Sequence, residues 1–381
     1  MKLVLVSSDV LWDKSRNSPY DGIQAILNSV LKDGNEVFLV SSHAEPAWLK
    51  KVFPKIKFQS CSFQERRNGQ IVQDILDANK QDGLRHSDVV ILGASDPDFF
   101  MAVNSRTLLC RCEWAPKGDR IKFYGLPVRE PKGIPTLVNI LRDKQPWYFQ
   151  LQTSDLDIFA LTDAGTITEL NLRARILKDK LKSCLKSGIV QNRKEFIAHL
   201  LSSLCATDAA RAVDWWGWYP SSEANNEDSE VMGNFCRFAQ TTFGRNTRGA
   251  LFVRHKDAPP RHLQESNRTD PTDQIQTVHL NPKYRGYLEG KTVAVLDDYT
   301  THGLSFGVAS AILKKAGVAK VLGIAMGKFG SRGEVYKINI TQDDVFIPIT
   351  GFQNRGYRDM VGTINTAAQK DFTEKFKFLL P

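Results

Sequence analysis

The stretch from Val293 to Ser305 constrains the fold of this chain more than any other part of the sequence. Four apolar residues, Val293–Leu296, predict a buried β-strand, and two adjacent acids, Asp297 and Asp298, follow directly. A turn rich in hydroxyls and glycine then leads into a predicted helix over Leu304–Lys315. A buried strand that passes through a short turn into a helix is typical of α/β proteins, which bind ligands where their parallel strands end.

The predicted turn has the features of an anion-binding site. Backbone N–H groups at the start of the helix and the positive end of its dipole face the same side. Thr301 and Ser305 add hydroxyl donors, and Gly303 lets the backbone approach an anion closely. Two carboxylates beside the turn would repel a bare phosphate, but they can accept hydrogen bonds from hydroxyl groups. The pattern therefore predicts a phosphorylated sugar as the ligand.

This stretch resembles the phosphoribosyl-pyrophosphate (PRPP) loop of the type I phosphoribosyltransferases, which has four apolar residues, two acids and then x-x-T-x-G-x-(T/S). The departures are Tyr299, where a small aliphatic residue is usual, and His302, where Thr or Ser is common. The resemblance implies that the two acids, Asp297 and Asp298, hold the ribose hydroxyls and are the catalytic pair. It also implies that the 5′-phosphate is bound by Thr300, Thr301, His302, Gly303, Leu304 and Ser305.

The flanking sequence agrees with such a domain. Lys320–Met326 predicts the next parallel strand, and Ala250–Val253 predicts an earlier one. The basic turn after that earlier strand corresponds to the place where similar transferases grip pyrophosphate, and Mg²⁺ accompanies the PRPP donor. The polar stretch 259–287 corresponds to a hood that closes over PRPP in the family. The pyrophosphate-binding residues implied by the resemblance are Arg254, His255 and Lys256.

The first 115 residues carry a second pattern of alternating strands and helices. Strands are predicted over Lys2–Val6, Glu36–Val40 and Asp88–Leu92, which implies a doubly wound parallel sheet. The acids and hydroxyls after these strands resemble those of the haloacid dehalogenase (HAD) phosphohydrolases. That resemblance implies a metal site at Asp9, Asp96 and Asp98.

The HAD pattern is altered where its chemistry takes place. Ser7 stands where the family has its nucleophilic aspartate, and a serine without a neighbouring base does not readily replace a carboxylate. We therefore expect a HAD-like fold without phosphatase activity. An unrelated doubly wound domain is the alternative.

The middle of the chain is predicted to be largely helical. Its densest aromatic cluster, Trp215–Tyr219, is suited either to stacking on a nucleobase or to filling a joint between domains. The expected fold class is α/β, with two doubly wound parallel-sheet domains joined by this region. The expected divisions are a HAD-like domain at 1–115, a connecting region at 116–225 and a phosphoribosyltransferase domain at 226–381.

Composition sets wider limits. The 381 residues are enough for two domains, and the net charge of +9 favours anionic ligands without specifying nucleic acid. The N-terminal apolar run is too short to span a membrane, so no membrane association is expected. The six cysteines are scattered, which favours reduced thiols and a cytoplasmic location.

Two functions are compatible with these patterns. The first is transfer of a phosphoribosyl group from Mg²⁺–PRPP to a nitrogenous acceptor, a small molecule or a nucleotide, with release of pyrophosphate. The second is a regulator that binds PRPP or a nucleotide as a signal and acts on nucleic acid, or in a stress or antiviral system, without turnover. In either case we expect a homo-oligomer or a member of a complex.

Overall fold

A computed structural model describes residues 1–142, 144–165, 172–187, 193–224, 231–243, 248–259 and 269–375. The strands of these ranges form two six-stranded sheets and three two-stranded ribbons. The strands are β1 (Leu3–Val6), β2 (Trp12–Asp13), β3 (Ser18–Pro19), β4 (Glu36–Ser41), β5 (Lys57–Ser60), β6 (Val89–Gly93), β7 (Leu108–Cys112), β8 (Leu126–Val128), β9 (Phe149–Gln152), β10 (Leu156–Asp163), β11 (Trp215–Trp218), β12 (Phe252–Arg254), β13 (Val278–Leu280), β14 (Thr292–Thr300), β15 (Lys320–Lys328), β16 (Arg332–Ile340), β17 (Phe352–Val361) and β18 (Thr363–Ile364).

Helices cover the faces of both sheets. Residues that favour helix ends are found at some of the observed ends. For example, Ser62 and Glu65 form a capping box at the N-terminus of the helix Phe63–Asn68. The helices are α1 (Ser8–Leu11), α2 (Ile23–Lys32), α3 (Ala47–Val52), α4 (Phe63–Asn68), α5 (Gln70–Ala78), α6 (Asp96–Ser105), α7 (Gly133–Leu141), α8 (Leu172–Ser187), α9 (Arg193–Cys205), α10 (Asp208–Arg211), α11 (Val231–Phe243), α12 (Thr272–Ile275), α13 (Leu304–Lys315) and α14 (Thr366–Lys375).

The first sheet is parallel throughout, in the order β5-β4-β1-β6-β7-β8. Side chains alternate between its faces, so Leu3 and Leu5 pack into one hydrophobic cluster while Val4 and Val6 pack into another. The strands predicted near residues 2–6, 36–40 and 88–92 are confirmed, as is the doubly wound parallel sheet expected there.

The second sheet is mixed, in the order β11-β14-β15-β10-β9-β18. Its first four strands are parallel, β9 runs antiparallel to β10, and β18 runs antiparallel to β9. The expectation of a second purely parallel sheet is therefore corrected. The physical reason is the link between β9 and β10, where the Thr153 hydroxyl and the Leu156 backbone close a tight turn. So short a link joins antiparallel neighbours, whereas a parallel pair needs a long crossover.

Strand pairing crosses both of the expected domain boundaries. The expected boundary at residue 115 lies before β8, which pairs with β7 and completes the first sheet. The supposed connecting region, 116–225, supplies β10 and β11, two of the four parallel strands of the second sheet. The helices α8 and α9 account for most of the helical periodicity in the sequence of this region. The strands that pair with β10 and β11 are β15 and β14, respectively, and both lie far along the chain.

The two sheets share one hydrophobic cluster. It contains Val4 and Val6 of the first sheet together with Phe159, Leu296 and Ile324 of the second. Polar contacts reinforce this packing, since the Arg211 guanidinium donates to the backbone carbonyls of Ser105 and Arg106. The two sheets are therefore packed against each other through a common core.

Expectations about helices, cysteines and membrane-spanning segments also came from the sequence. The helix predicted over 304–315 is confirmed, and α8 and α9 lie in the region predicted to be largely helical. All six cysteines are buried and unpaired, as expected of structural thiols. Among the described residues, no helix combines the length and the apolar character needed to cross a membrane. Residues 260–268 of the predicted hood lie outside the described residues.

Candidate functional site

The carboxyl ends of three neighbouring strands meet at one edge of the second sheet. β14 lies between β11 and β15, with Leu296 beside both Trp218 and Ile324. A cavity of about 980 Å³ opens at this edge, and every residue from Asp297 to Ser305 lines it. The structure therefore brings the acidic pair and the anion-binding turn to the same cavity.

The acidic pair is half-buried and restrained. Asp297 Oδ1 accepts a hydrogen bond of 2.9 Å from the backbone N–H of Asp298. Asp298 Oδ1 accepts one of 2.7 Å from the N–H of Tyr299, and its Oδ2 lies 2.7 Å from Lys186 Nζ. Lys186 and Asp298 are both partly exposed, so this ion pair is easily exchanged for a ligand.

The turn that follows is built for an anion. Gly303 has a φ of +83°, a left-handed conformation that favours glycine, and α13 begins at the next residue. The first amides of α13 have no carbonyl four residues earlier in the helix, so they are available to a ligand at the cavity. Thr300 is buried, while Thr301 and Ser305 are positioned along the cavity wall.

A buried lysine supports this turn from behind. Lys328, at the end of β15, is 1% exposed, and its Nζ donates to the carbonyls of Thr301 and Phe329 at 2.7 and 2.6 Å. Burial lowers the pKa of Lys328 to about 8. The ammonium fixes the path of the backbone beside the anion site.

The ribbon of β16 and β17 holds the turn on its other side. The backbone N–H of Glu334 donates to the carbonyl of His302 at 2.9 Å. Gly307 lies so close to Tyr336 that a Cβ there would be 2.7 Å from the ring, so a side chain would displace α13 from β16. Contacts with two separate elements, β15 and β16, thus define the shape of the turn.

One residue of the basic turn reaches the cavity. Arg254 is 3% exposed, and its guanidinium donates to Thr277 Oγ1 at 2.5 Å and Gln274 Oε1 at 3.1 Å. These partners are neutral, and no carboxylate within salt-bridge distance of Arg254 is found in the described ranges. A buried cation with neutral partners favours an anionic ligand.

The other two residues of that turn lie elsewhere. Neither His255 nor Lys256 is among the described residues that line the cavity. The His255 ring lies 5.4 Å from that of His279, and burial, followed by the neighbouring His279, lowers the pKa of His255. The strand β12 ends at Arg254, and the backbone N–H of His255 donates to the Thr277 carbonyl at 3.1 Å.

The sequence patterns missed two parts of the cavity wall. Pro220, Ser221 and Ser222 come shortly after β11, whose neighbour is β14, and they line the cavity. Leu185 and Lys186, near the end of α8, line it from another side. The signal for the first was present, since an apolar run before a Tyr-Pro turn is typical of a buried strand that reaches a sheet edge.

The aromatic cluster serves mainly as core. Trp215 and Trp216 are buried on opposite faces of β11, in different hydrophobic clusters. Gly217 lies against Leu251, where a Cβ would approach within 2.5 Å. Of the two uses predicted for the cluster, filling a joint between domains fits Trp216, whose hydrophobic cluster includes residues of both sheets. Trp215 packs in a cluster around the second sheet, and Tyr219 lines the cavity.

At the edge of the first sheet, Asp98 is part of a closed polar network. It is 0% exposed, and Arg66 lies 2.5 Å from its Oδ1. Its Oδ2 accepts from the Ser7 hydroxyl and from the backbone N–H groups of Ala94 and Ser95, each at 3.0 Å. These donors occupy the lone pairs that a metal ion would need.

The three acids predicted to bind a metal therefore make other contacts. Asp9 pairs with Lys14 at 2.7 Å, and Asp96 Oδ1 accepts from the backbone N–H groups of Arg120 and Ile121. Within the ranges that the structure describes, no group of three His, Cys, Asp or Glu side chains is arranged to hold a metal. A divalent ion does not fit the arrangement around Asp98, because a guanidinium already supplies the positive charge there.

Comparison with known proteins gives structural similarities alone. No protein-family model matches this sequence, and a search of curated proteins finds no match. Among solved structures, the cobalt-bound deoxy-D-mannose-octulosonate 8-phosphate phosphatase from Haemophilus influenzae is similar with 15% identity and a TM-score of 0.30, over 38% of this chain and 91% of that one. A protein described as a phosphoglycolate phosphatase from Lactobacillus delbrueckii subsp. bulgaricus gives 17% identity and a TM-score of 0.28, over 32% of this chain and about half (53%) of that one.

A third similar structure is described as a HAD family hydrolase, from Streptomyces avermitilis. It gives 17% identity and a TM-score of 0.23, over 30% of this chain and 68% of that one. All three descriptions are of hydrolases, and the third names the family with which the first domain's motifs were compared. TM-scores of 0.30 and below support no inference about the activity of this chain.

Proposed function

We propose that the second domain is a phosphoribosyltransferase that binds PRPP with Mg²⁺ in the cavity at the end of β14. The observation that carries the proposal is the placement of Asp297, Asp298 and the Thr300–Ser305 turn around one cavity of about 980 Å³. Acceptors for sugar hydroxyls and donors for a phosphate are thereby adjacent, as a phosphorylated sugar requires.

Each group has a separate role in this proposal. Asp297 and Asp298 accept hydrogen bonds from the ribose hydroxyls, and Lys186 is displaced from Asp298 when they do. The turn and the first amides of α13 bind the 5′-phosphate. Arg254, buried among neutral partners, neutralises the pyrophosphate, and Mg²⁺ enters as part of the donor substrate.

The proposed reaction exchanges one bond at the ribose C1 atom. The bond from C1 to the pyrophosphate oxygen breaks, a bond from C1 to a nitrogen of the acceptor forms, and the acceptor loses a proton. The protein contributes by positioning the donor, by stabilising the negative charge of the leaving pyrophosphate and by excluding water. Apolar side chains of Leu185, Met232 and Phe329 line the same cavity and offer a surface to an acceptor.

Calorimetric titration of PRPP with Mg²⁺ tests the binding step. We expect the wild-type protein to bind and the Asp297→Asn/Asp298→Asn variant to bind at least roughly tenfold more weakly, because hydrogen bonds to charged groups contribute about 1.5–3 kcal/mol each. Asp343→Asn is the control, since Asp343 is a fully exposed acid of the same domain. Equal affinity in the double variant and the wild type would place the donor elsewhere.

A second measurement separates the enzyme from the regulator. Release of pyrophosphate from PRPP in the presence of candidate nitrogenous acceptors indicates transfer. Binding of PRPP without release, across purine, pyrimidine and amine acceptors, would instead favour the sensing function that the sequence also allows.

A further inference from the structure

The ribbon of β16 and β17 presents one of its strands to solvent. β16 packs against α13, where the Tyr336 ring lies close to Gly307. In β17, by contrast, every residue over 353–359 is exposed. Within the part of the chain that the structure describes, β17 pairs with β16 and with no other strand, so one of its edges is open. The ribbon therefore has a surface that packing within this chain leaves uncovered.

The exposed surface of the ribbon is basic. Its exposed cations are Arg332, Lys337, Arg355 and Arg358. Among the described residues, no carboxylate lies within salt-bridge distance of any of these four. Arg355 donates to Gln353 Oε1 at 3.0 Å, and Arg358 Nη2 lies 3.4 Å from Met360 Sδ, so the contacts of both guanidiniums are with neutral groups. The charges of these cations are thus available to an anionic partner.

Few acids balance these cations. Asp359 is exposed in β17, whereas Glu334 of β16 is buried. Asp343 and Asp344, which come before β17, each have a cation as a partner already. A second copy of the ribbon would bring like charges together, which is unfavourable. The excess of positive charge favours a polyanion instead.

An aromatic ring and an open stretch of backbone lie among the cations. The Tyr357 side chain is 45% exposed and stands between Arg355 and Arg358 in the sequence. Gly356 has a φ of +80°, at an irregularity in the pairing with β16, and a Cβ there would meet no atom within 4 Å. The backbone at Gly356 is therefore open to close approach by a ligand. An exposed aromatic ring between cations fits a polyanion whose bases can stack.

We propose that the ribbon of β16 and β17 binds single-stranded nucleic acid. The four exposed cations contact the phosphates, and Tyr357 stacks on a base. A single strand is favoured over a duplex because one side of the ribbon is packed on α13 and cannot enter a groove, and because stacking requires an unpaired base. The described residues that line the cavity at the end of β14 include none from either strand, so this inference is independent of the proposed function.

Fluorescence anisotropy with labelled oligonucleotides of about 12 nucleotides tests the inference on the full-length protein. The probes are oligouridine, oligodeoxythymidine, and oligodeoxythymidine annealed to oligodeoxyadenosine. Titrations at several salt concentrations give the slope of the logarithm of affinity against the logarithm of salt concentration. We expect the wild-type protein to bind both single strands more tightly than the duplex, with an affinity that falls as the salt concentration rises.

Replacing cations and replacing the ring should have different effects. Arg355→Gln/Arg358→Gln removes two phosphate contacts, each of which contributes about 0.7 to the slope for a single strand. The slope should therefore decrease in magnitude by about 1.4, and the affinity near about 0.1 M salt should fall roughly tenfold. Tyr357→Leu should weaken binding roughly tenfold and leave the slope unchanged, because it removes stacking but no charge. Arg355→Lys/Arg358→Lys keeps both charges and should keep the wild-type slope.

Lys51→Gln/Lys55→Gln is the matched control. Both lysines are exposed, and within the described ranges neither forms an ion pair. This variant has the same net charge as Arg355→Gln/Arg358→Gln, so it separates contact at the ribbon from the charge of the whole protein. It should keep the wild-type affinity and slope.

Four results would overturn the inference. The first is no binding of either single strand to the wild-type protein, and the second is a wild-type slope in Arg355→Gln/Arg358→Gln. The third is tighter binding of the duplex than of the single strands. The fourth is displacement of the oligonucleotide by polyglutamate as readily as by unlabelled oligouridine, which would indicate a surface for any polyanion. The titration of PRPP with Mg²⁺ tests the proposed function separately from all of these.

Discussion

Replacing Arg66 with methionine tests whether the edge of the first sheet is a closed structural network. Arg66 is 8% exposed, and its guanidinium supplies the positive charge next to the buried Asp98 carboxylate at 2.5 Å. Methionine keeps much of the side-chain volume but removes that charge. Asp98 retains its neutral donors from Ser7, Ala94 and Ser95, so the carboxylate stays hydrogen-bonded but loses its counterion.

The expected loss of stability follows from this arrangement. Removing one partner of a buried ion pair costs about 3–5 kcal/mol, because the other charge is left uncompensated. Since Asp98 keeps four neutral hydrogen bonds, we expect the lower part of that range, about 3 kcal/mol. The double variant Arg66→Met/Asp98→Asn removes both charges and is expected to recover most of the loss.

Denaturant unfolding followed by tryptophan fluorescence measures these differences. The matched control is Arg67→Met, since Arg67 is the next residue of α4, is exposed and lies 4.8 Å from the Phe100 ring. That change should cost no more than about 1 kcal/mol. A loss in Arg66→Met as small as in Arg67→Met, or a double variant less stable than Arg66→Met, would refute the reasoning.

Three further outcomes are expected from the second domain. The pKa of Lys328 is lowered to about 8, so the unfolded chain binds more protons than the folded protein between about pH 8 and 10.5. The free energy of unfolding of the wild type should therefore rise with pH in this range, relative to that of Lys328→Met, by on the order of 3 kcal/mol. Parallel curves of unfolding free energy against pH for the two proteins would contradict this. Lys186→Met should leave stability within about 1 kcal/mol of wild type, since its pair with Asp298 is exposed, and a larger loss in thermal unfolding would show a structural role. Gly303→Ala should lower stability by about 1–2 kcal/mol because of its φ of +83°, and should weaken ribose 5-phosphate binding in calorimetry; unchanged values would mean that the turn adapts.

The local elements of the fold could be predicted closely. The helix over Leu304–Lys315 was predicted with the observed bounds, and the strand before it extends only a few residues beyond its apolar run. Helices and strands are encoded by hydrophobic periodicity and by residues at their ends, which are short-range properties. The turn between them could be predicted for the same reason, because Gly303 and the hydroxyl residues lie within a few positions of one another.

Pairing between distant segments could not be predicted. The strands β10 and β11 were assigned to a connecting region, since their partners β15 and β14 lie far along the chain. The contacts of the acids expected to bind a metal could not be predicted for a similar reason. Nothing local indicates that Arg66 will pair with Asp98 and occupy the place of a cation.

The sequence by itself determined the strand, the acidic pair and the glycine turn that together form the candidate anion site. Only the tertiary structure decided what surrounds them. It placed Arg254, but not His255, in the wall of the cavity, and it set Glu334 beside His302. The physical reason is that hydrogen bonds and periodicity within a segment depend on neighbouring residues, whereas the charge balance of a buried site depends on groups that packing brings together from distant parts of the chain.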